Sequence, residues 1–293
     1  MTIKNKITVI IPYYSKFEWL EEALESLRAQ TFRSFEVIIV NDGSSDDLSC
    51  LLLKKEYFFD LKIINQKNKG PAAARNKGIL KARTKYLAFL DSDDLWTSKK
   101  LELQYNFMEK TKSFWSQHSY NYFYENGTKK SINTNVYNGN VFIDTFVSFK
   151  VQTSCVMVRR DALYENDKLN IKFKEDQRYG QDLFFYRELA LKYELDYLDE
   201  YLTLFRIRNN NAGFKPSVQL YSKANTWFYM KNDSNTKLIP PIVKFSYWIC
   251  WKNYNLLKKL CKKNINEKFA GLLYLVPYLL LKSYNFTRKY GSI

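Results

Sequence analysis

The chain has 293 residues, 46% of them hydrophobic and 26% charged; this excludes wholesale disorder and provides for one large domain, or one domain with a small appendage. Lys and Arg number 46 against 30 Asp and Glu, a formal charge of +16, which calls for a negatively charged partner: a phosphate ligand, a nucleic acid or an anionic membrane. A single histidine, His118, excludes a His-rich zinc site and a two-histidine relay, and no G-x-S-x-G elbow accompanies it for a serine triad.

The N-terminus is a short charged stub before a five-residue apolar run, Ile7–Ile11, too short for a signal-peptide core. That β-branched run predicts a buried parallel strand ended by Pro12. Apolar spacing at Trp19, Leu20, Ala23, Leu24 and Leu27 predicts a helix over 18–30. Phe35–Val40 is a second strand, followed by the turn cluster Asn41-Asp42-Gly43-Ser44-Ser45. Leu48–Tyr57 reads as helix, Leu61–Ile64 as strand, and Pro71, at a first helical position, opens a helix to Arg83. Tyr86–Leu90 is a fourth strand that stops at Asp91-Ser92-Asp93-Asp94. Strands alternating with helices imply a doubly wound sheet, whose ligands bind beyond the strand carboxyl ends. Pro12-Tyr13-Tyr14, Asn41-Asp42-Gly43 and Asp91-Ser92-Asp93 all fall at such ends.

Further on, Phe114–Tyr124 and Thr153–Arg159 read as strands, Asp182–Lys192 as a helix and Leu195–Ile207 as a strand region. The four cysteines (Cys50, Cys155, Cys250, Cys261) lie far apart and read as reduced core thiols. After about Pro216 the chain changes character. From Pro240 to Ile293 there are ten Lys or Arg against one acid, Glu267, with Trp248, Trp251 and many Tyr and Phe. The longest apolar stretch there, Phe269–Leu281, falls short of the roughly 20 residues a spanning helix needs. Two readings of this tail stand: amphipathic basic helices on an anionic membrane surface, or a helical subdomain packed on the rest with its lysines solvated. The expected organisation is residues 1–215 as one domain and residues 216–293 as a basic, aromatic helical region.

Asp91-Ser92-Asp93 directly follows an apolar strand. Two carboxylates two residues apart on extended backbone face one way and can hold a hard divalent cation that bridges a diphosphate. Alone, such a triplet is more often a solvated acidic turn. Its context is specific: IPYY, FEVIIVNDGSSDD, NKGPAAARNKGI, YLAFLDSDDLW and GQDLFFYREL occur in this order. Together they closely resemble the inverting nucleotide-sugar glycosyltransferases of family 2. The resemblance covers roughly residues 6–210, is most specific over 7–103 and is absent from the tail. It implies a GT-A fold, a Rossmann-like, mostly parallel α/β sheet flanked by helices, here with a C-terminal helical extension.

The resemblance also implies roles. Pro12, Tyr13 and Tyr14 match the first-strand loop that contacts the base, where a ring can stack on uracil. Asp42 matches the carboxylate accepting from the base N3–H, which favours uracil or thymine over cytosine. The Lys69-Gly70 turn and Arg75 match the segment lining the nucleotide, the arginine pairing with phosphate. Asp91 matches the ribose- and sugar-facing member of the triplet and Asp93 the direct metal ligand, with Ser92 between them; the cation would be Mn²⁺ or Mg²⁺. Asp182 matches the base that removes the acceptor hydroxyl proton, with Gln181 where the family has Glu; Glu175-Asp176 carries that dipeptide without the apolar helix face behind it. Arg208, in Phe205-Arg206-Ile207-Arg208, replaces the usual imidazole: it can hold a diphosphate and cannot ligate a metal. Plainer alternatives are packing for Tyr13 and Tyr14, an ordinary turn at Asp42-Gly43, a solvated Arg75, a surface basic pair at Arg206 and Arg208, and a helix cap at Asp182.

The implied activity is non-processive transfer of one sugar from a nucleotide diphosphate, UDP by the Asp42 match, to a glycan hydroxyl in lipopolysaccharide, O-antigen or capsule synthesis. No Q-x-x-R-W segment is present, as a processive synthase would have. The enzyme would be cytoplasmic and peripheral on the inner face of the cytoplasmic membrane, its acceptor lipid-linked. A polyprenyl phosphate acceptor is the second enzyme reading. A nucleic-acid-binding module, suggested by charge and aromatics, is disfavoured because the acidic triplet repels a phosphate backbone.

Overall fold

The computed structural model describes residues 5–53, 57–124, 126–208, 211–231, 234–261 and 265–290. The chain divides into two compact units: Met1–Val141, Lys150–Asp176 and Phe184–Arg208 in one, Phe142–Phe149, Gln177–Leu183 and Asn209–Ile293 in the other.

In the first unit, β1 (Ile7–Tyr13), β2 (Phe35–Asn41), β3 (Asp60–Asn65) and β4 (Tyr86–Phe89) form a parallel array in the order β3-β2-β1-β4. β1 and β2 are buried along their whole length, as continuous apolar runs between two helix layers must be. Pro12 does not end β1: the strand runs on to Tyr13 against Asn41. The carbonyl of Ile10 accepts from Leu90, where β4 stops, so the donor that Pro12 lacks has no strand beside it to serve. α1 (Phe17–Arg28) buries Leu20, Ala23, Leu24 and Leu27. α2 is short, Ser49–Leu53; of the helix expected over 48–57, residues 54–56 lie outside the described residues, and Tyr57 instead stacks on Phe59 at 4.9 Å. α3 (Pro71–Lys81) lies on β1 and β2. Gly78 makes that close approach possible, since a Cβ there would meet Ile10 Cγ2 at 2.4 Å.

The sheet continues through β5 (Leu95–Trp96), β6 (Trp115–Tyr124), β7 (Lys129–Ile132), β8 (Met157–Arg159) and β11 (Asp196–Ile207), in the order β4-β8-β6-β11-β5 with β7 on β6. β8 is antiparallel to both β4 and β6, whereas β11 runs parallel to β6. α4 (Lys100–Thr111), unforeseen in the sequence, packs on β6 and β11. The strand expected over 153–159 is a 3₁₀ turn at Thr153–Cys155 followed by β8. β9 (Tyr164–Glu165) and β10 (Lys168–Leu169) make a separate hairpin, and α6 spans Gln181–Lys192. The result is the expected mostly parallel α/β sheet flanked by helices, with helices at the C-terminus.

The second unit contains α5 (Asp144–Val147), α7 (Pro216–Met230), α8 (Pro241–Leu260) and α9 (Glu267–Tyr290). Leu220, Cys250, Leu257 and Ala270 form its core. The Tyr247 hydroxyl donates to the Phe146 carbonyl at 2.8 Å, and Arg288 and Lys289 both pair with Asp144. No helix among the described residues is long and apolar enough to cross a membrane. All four cysteines are free; Cys155 and Cys250 are buried, but Cys50 is exposed rather than a core thiol.

Candidate donor site at the strand carboxyl ends

A pocket of about 350 Å³ opens in the first unit beyond β1, β2 and β4. Pro12, Tyr13, Tyr14, Asp42, Arg75, Asp91, Ser92, Asp93 and Arg208 line it, all sequence candidates. Lys69 and Gly70 reach it through Asp42, and Asp182 lies in the first turn of α6, within the residues of the second unit.

Asp42 is buried, and its carboxylate is already engaged. It accepts from the Lys69 and Gly70 backbone N–H groups and from Gln66 Nε2, each at 2.8 Å. A carboxylate has about four lone-pair positions, so one remains for a ligand donor. The carboxylate therefore fastens the 66–70 loop as much as it offers an acceptor. Gly43, next in line, has φ +79, and a Cβ there would come within 2.9 Å of the Asn68 nitrogen. Only glycine serves at that turn.

The two tyrosines separate. Tyr13 is 1% exposed and donates its hydroxyl to Asp46; burial, then that carboxylate, raise its pKa. Tyr14 is 54% exposed on the pocket wall. The ring available for stacking is thus Tyr14. The backbone then turns through Lys16, which adopts φ 72, a conformation uncommon for a side-chain-bearing residue. Lys16, Arg206 and Arg208 all lie over the Trp19 ring, at 5.6, 5.2 and 5.4 Å.

The acidic turn is held from behind. Buried Ser154 accepts from the Asp91 backbone N–H at 3.1 Å and donates to Asp94 Oδ2 at 2.6 Å. Asp94 Oδ1 accepts from the Arg206 N–H at 3.1 Å, and Arg206 Nε donates to the Asp93 carbonyl at 2.9 Å. Three segments of sheet edge therefore fix where Asp91 and Asp93 point. In front, Arg75 pairs with Asp91, and Arg208 with Asp93 Oδ2 at 2.7 Å. Burial, then the neighbouring Asp91 charge, hold Asp93 above the ordinary carboxylate pKa, and Arg208 opposes them. Asp94 is pushed well above it by burial, with Asp93 and Asp91 adding.

Among the described residues no group of three or more His, Cys, Asp or Glu could hold a metal. Asp91 and Asp93 nevertheless fit a hard divalent cation: two oxygen donors from protein, with diphosphate oxygens and water completing the shell, is the usual pattern for Mg²⁺ at phosphate sites. The raised Asp93 pKa marks a crowded pair of carboxylates that a cation would relieve.

Several participants escaped the sequence reading. Trp19 reads as part of the α1 core stripe, yet it is half-buried at the pocket. Ser15, Lys16 and Pro71 also line the pocket. Asp46, Asp94 and Ser154 act through contacts across 33, 112 and 60 residues of sequence, which no local pattern shows. Glu175 has a structural task, accepting from Asn76 Nδ2 at 2.8 Å. His118 is buried with Nδ1 2.8 Å from the Ser119 carbonyl, and burial, then the Lys100 charge, push its pKa down to about 3.

The mostly parallel sheet places a carboxylate-lined pocket beyond the carboxyl ends of its central strands, where doubly wound α/β sheets bind their ligands. Residues 8–166 match the model of glycosyl transferase family 2, and the chain belongs to that family. An uncharacterized glycosyltransferase of Rickettsia conorii is 36% identical over 81% of this chain and 39% of its own length. The chain thus spans about two fifths of that relative. The Escherichia coli UDP-Glc:α-D-GlcNAc-diphosphoundecaprenol β-1,3-glucosyltransferase WfaP is 38% identical over 39% of this chain and 45% of its own. Among solved structures, Staphylococcus aureus TarS 1–349 in complex with UDP-GlcNAc superposes with a TM-score of 0.63 at 19% identity, covering 96% of this chain and 91% of that one. The Pyrobaculum calidifontis mannosyltransferase PcManGT, in complex with GDP-Man and Mn²⁺, gives 0.60 at 13% identity over 100% and 89%. These last two share the GT-A fold.

Proposed function

We propose that the chain is an inverting, non-processive, metal-dependent hexosyltransferase that moves one sugar from a UDP-sugar to a hydroxyl of a lipid-linked glycan in bacterial surface-polysaccharide synthesis. The observation that carries this reading is the pairing of Asp91 and Asp93 with Arg75 and Arg208 around one pocket at the strand ends. Such a site matches a nucleoside diphosphate with its counter-cation: arginines for phosphate oxygens, carboxylates for the cation. The UDP assignment is supported by Tyr14 as a stacking ring and by the remaining acceptor position on Asp42. WfaP, with its UDP-Glc donor and diphosphoundecaprenol acceptor, supports the lipid-linked acceptor and hence work at the cytoplasmic face of the membrane. In domain terms, residues 1–215 would be the transferase domain and 216–293 the basic helical region.

The division of labour follows. Tyr14 stacks on the base and Asp42 accepts its N3–H. The Lys69-Gly70 turn, fixed by Asp42, borders the nucleotide, with Pro12 and Ser92 lining its seat. Arg75 and Arg208 hold diphosphate oxygens. Asp91 and Asp93 would hold the cation, Asp91 also facing the ribose and sugar; the cation would supply charge neutralisation at the leaving diphosphate. Asp182 takes the acceptor hydroxyl proton as its oxygen attacks the anomeric carbon. Calorimetric titration with UDP, GDP, TDP and CMP, each with and without Mn²⁺, tests the donor assignment. Mn²⁺-dependent UDP binding that Asp93→Asn abolishes is expected; equal binding of all four nucleotides, or none, would refute it.

A further inference from the structure

Helix α9 is apolar on two opposite faces. Ala270, Pro277 and Leu281 are buried, with Leu273 and Tyr274 packed on the core of the helical unit. Half a turn away, Leu272, Leu275, Val276, Leu279 and Phe286 form a second stripe at i, i+3, i+4, i+7 and i+14, and all are exposed, Leu272 at 66% and Phe286 at 64%. A surface helix ordinarily turns a polar face to solvent. From Leu272 to Leu279 this one shows water an apolar strip about 10 Å long at 1.5 Å per residue, with Phe286 two turns further on. Exposed Lys268 and Lys282 lie at its two ends.

We propose that this outward face of α9 docks on an anionic phospholipid bilayer. Charge complementarity selects this occupant. The segment Pro240–Ile293 carries ten basic residues and one acid; two of the ten, Arg288 and Lys289, pair with Asp144, and the acid, Glu267, is held by the Ser217 N–H and hydroxyl. Two copies meeting through this face would therefore bring like charges together. An anionic surface attracts the exposed lysines and takes up the leucines between them. The neighbouring helix has the same character: Phe245, Trp248, Leu256 and Leu260 on α8 are exposed, and Lys252 lies over the rings of Trp248 and Trp251. The helix lies in the interface rather than crossing it. The proposal extends the lipid-linked acceptor of the proposed function and rests on that reading for its purpose only.

The full chain is sedimented with phosphatidylcholine vesicles and with vesicles containing about 30% phosphatidylglycerol, without donor or acceptor, so failure here leaves the transfer reaction standing. Binding to the anionic vesicles alone is expected. Leu275→Asp with Leu279→Asp, and separately Lys268→Glu with Lys282→Glu, should each weaken it at least tenfold, with far-ultraviolet circular dichroism and Mn²⁺–UDP affinity unchanged. No binding, equal binding to neutral vesicles, or a concentration-dependent dimer that Leu279→Asp dissolves would each overturn the proposal.

Discussion

Lys100 offers a quantitative test of how the first unit is held together. Its side chain is 0% exposed, its ammonium lies 3.7 Å from the centroid of the Trp96 ring, and burial pushes its pKa from 10.5 down to about 7. The unfolded chain keeps the ordinary value, so between pH 7 and 10.5 it binds more protons than the folded one, and stability must rise with pH across that window. Below pH 7 the penalty is complete. A depression of this size corresponds to about 5 kcal/mol of net preference for the neutral amine. Lys100→Met, which keeps the length and removes the charge, should therefore stabilise the protein by about 4 kcal/mol at pH 7, with the gain shrinking toward pH 10. Urea unfolding at intervals from pH 6 to 10 measures it. A variant no more stable than the parent at pH 7, or two stability curves that stay parallel to pH 10, would refute the account.

Replacing Tyr14 with Ala should weaken Mn²⁺–UDP binding by about 1–3 kcal/mol, whereas Tyr13→Phe should leave binding within twofold and lower stability by about 1 kcal/mol through loss of the Asp46 bond; titration and urea unfolding separate the two. Arg208→Ala should cost about tenfold in UDP affinity by calorimetry. It should also move the acid limb of binding to higher pH, because Asp93 loses the charge that opposes its raised pKa. Gly43→Ala should lower the unfolding free energy by about 1–2 kcal/mol in urea titration, since φ is positive and the added carbon meets Asn68. Asp182→Asn should retain UDP binding and lose turnover at least a hundredfold in a sugar-transfer assay.

The parallel half of the sheet was legible because its strands are short, continuous apolar runs with turn residues at both ends. β1, β2 and β4 carry their whole pattern locally, and so do the loops at their carboxyl ends. What stayed hidden depends on distance along the chain. Ser154 and Asp94 are ordinary polar residues until β11 and the 153–155 turn bring them together behind the acidic loop. Thr153–Cys155 reads as strand because its apolar neighbours alternate, but Ser154 is drawn out of the ladder to serve Asp91 and Trp96. Trp19 was hidden differently: helical spacing assigned it to the core face of α1, yet at the first turn of a helix that starts at a pocket, this member of the stripe lines the pocket instead. Asp42 shows a third limit. Its position was evident, but that it binds the 66–70 loop on three hydrogen bonds follows only from coordinates.

Under the proposed function, the ion pairs Arg75–Asp91 and Arg208–Asp93 would make the pocket an exchange site. Arg75 and Arg208 each already have an anion, and Asp91 and Asp93 each a cation. A diphosphate arriving alone draws the arginines off and strands two aspartates; a divalent cation arriving alone draws the aspartates off and strands two arginines. Arriving together, the two swap partners with the pairs and leave no charge unmatched. Synergy would then follow from the resting state: the factor by which the metal tightens the nucleotide must equal the factor by which the nucleotide tightens the metal. At cellular concentrations the protein would then read the metal–nucleotide complex as one ligand and discriminate against either half.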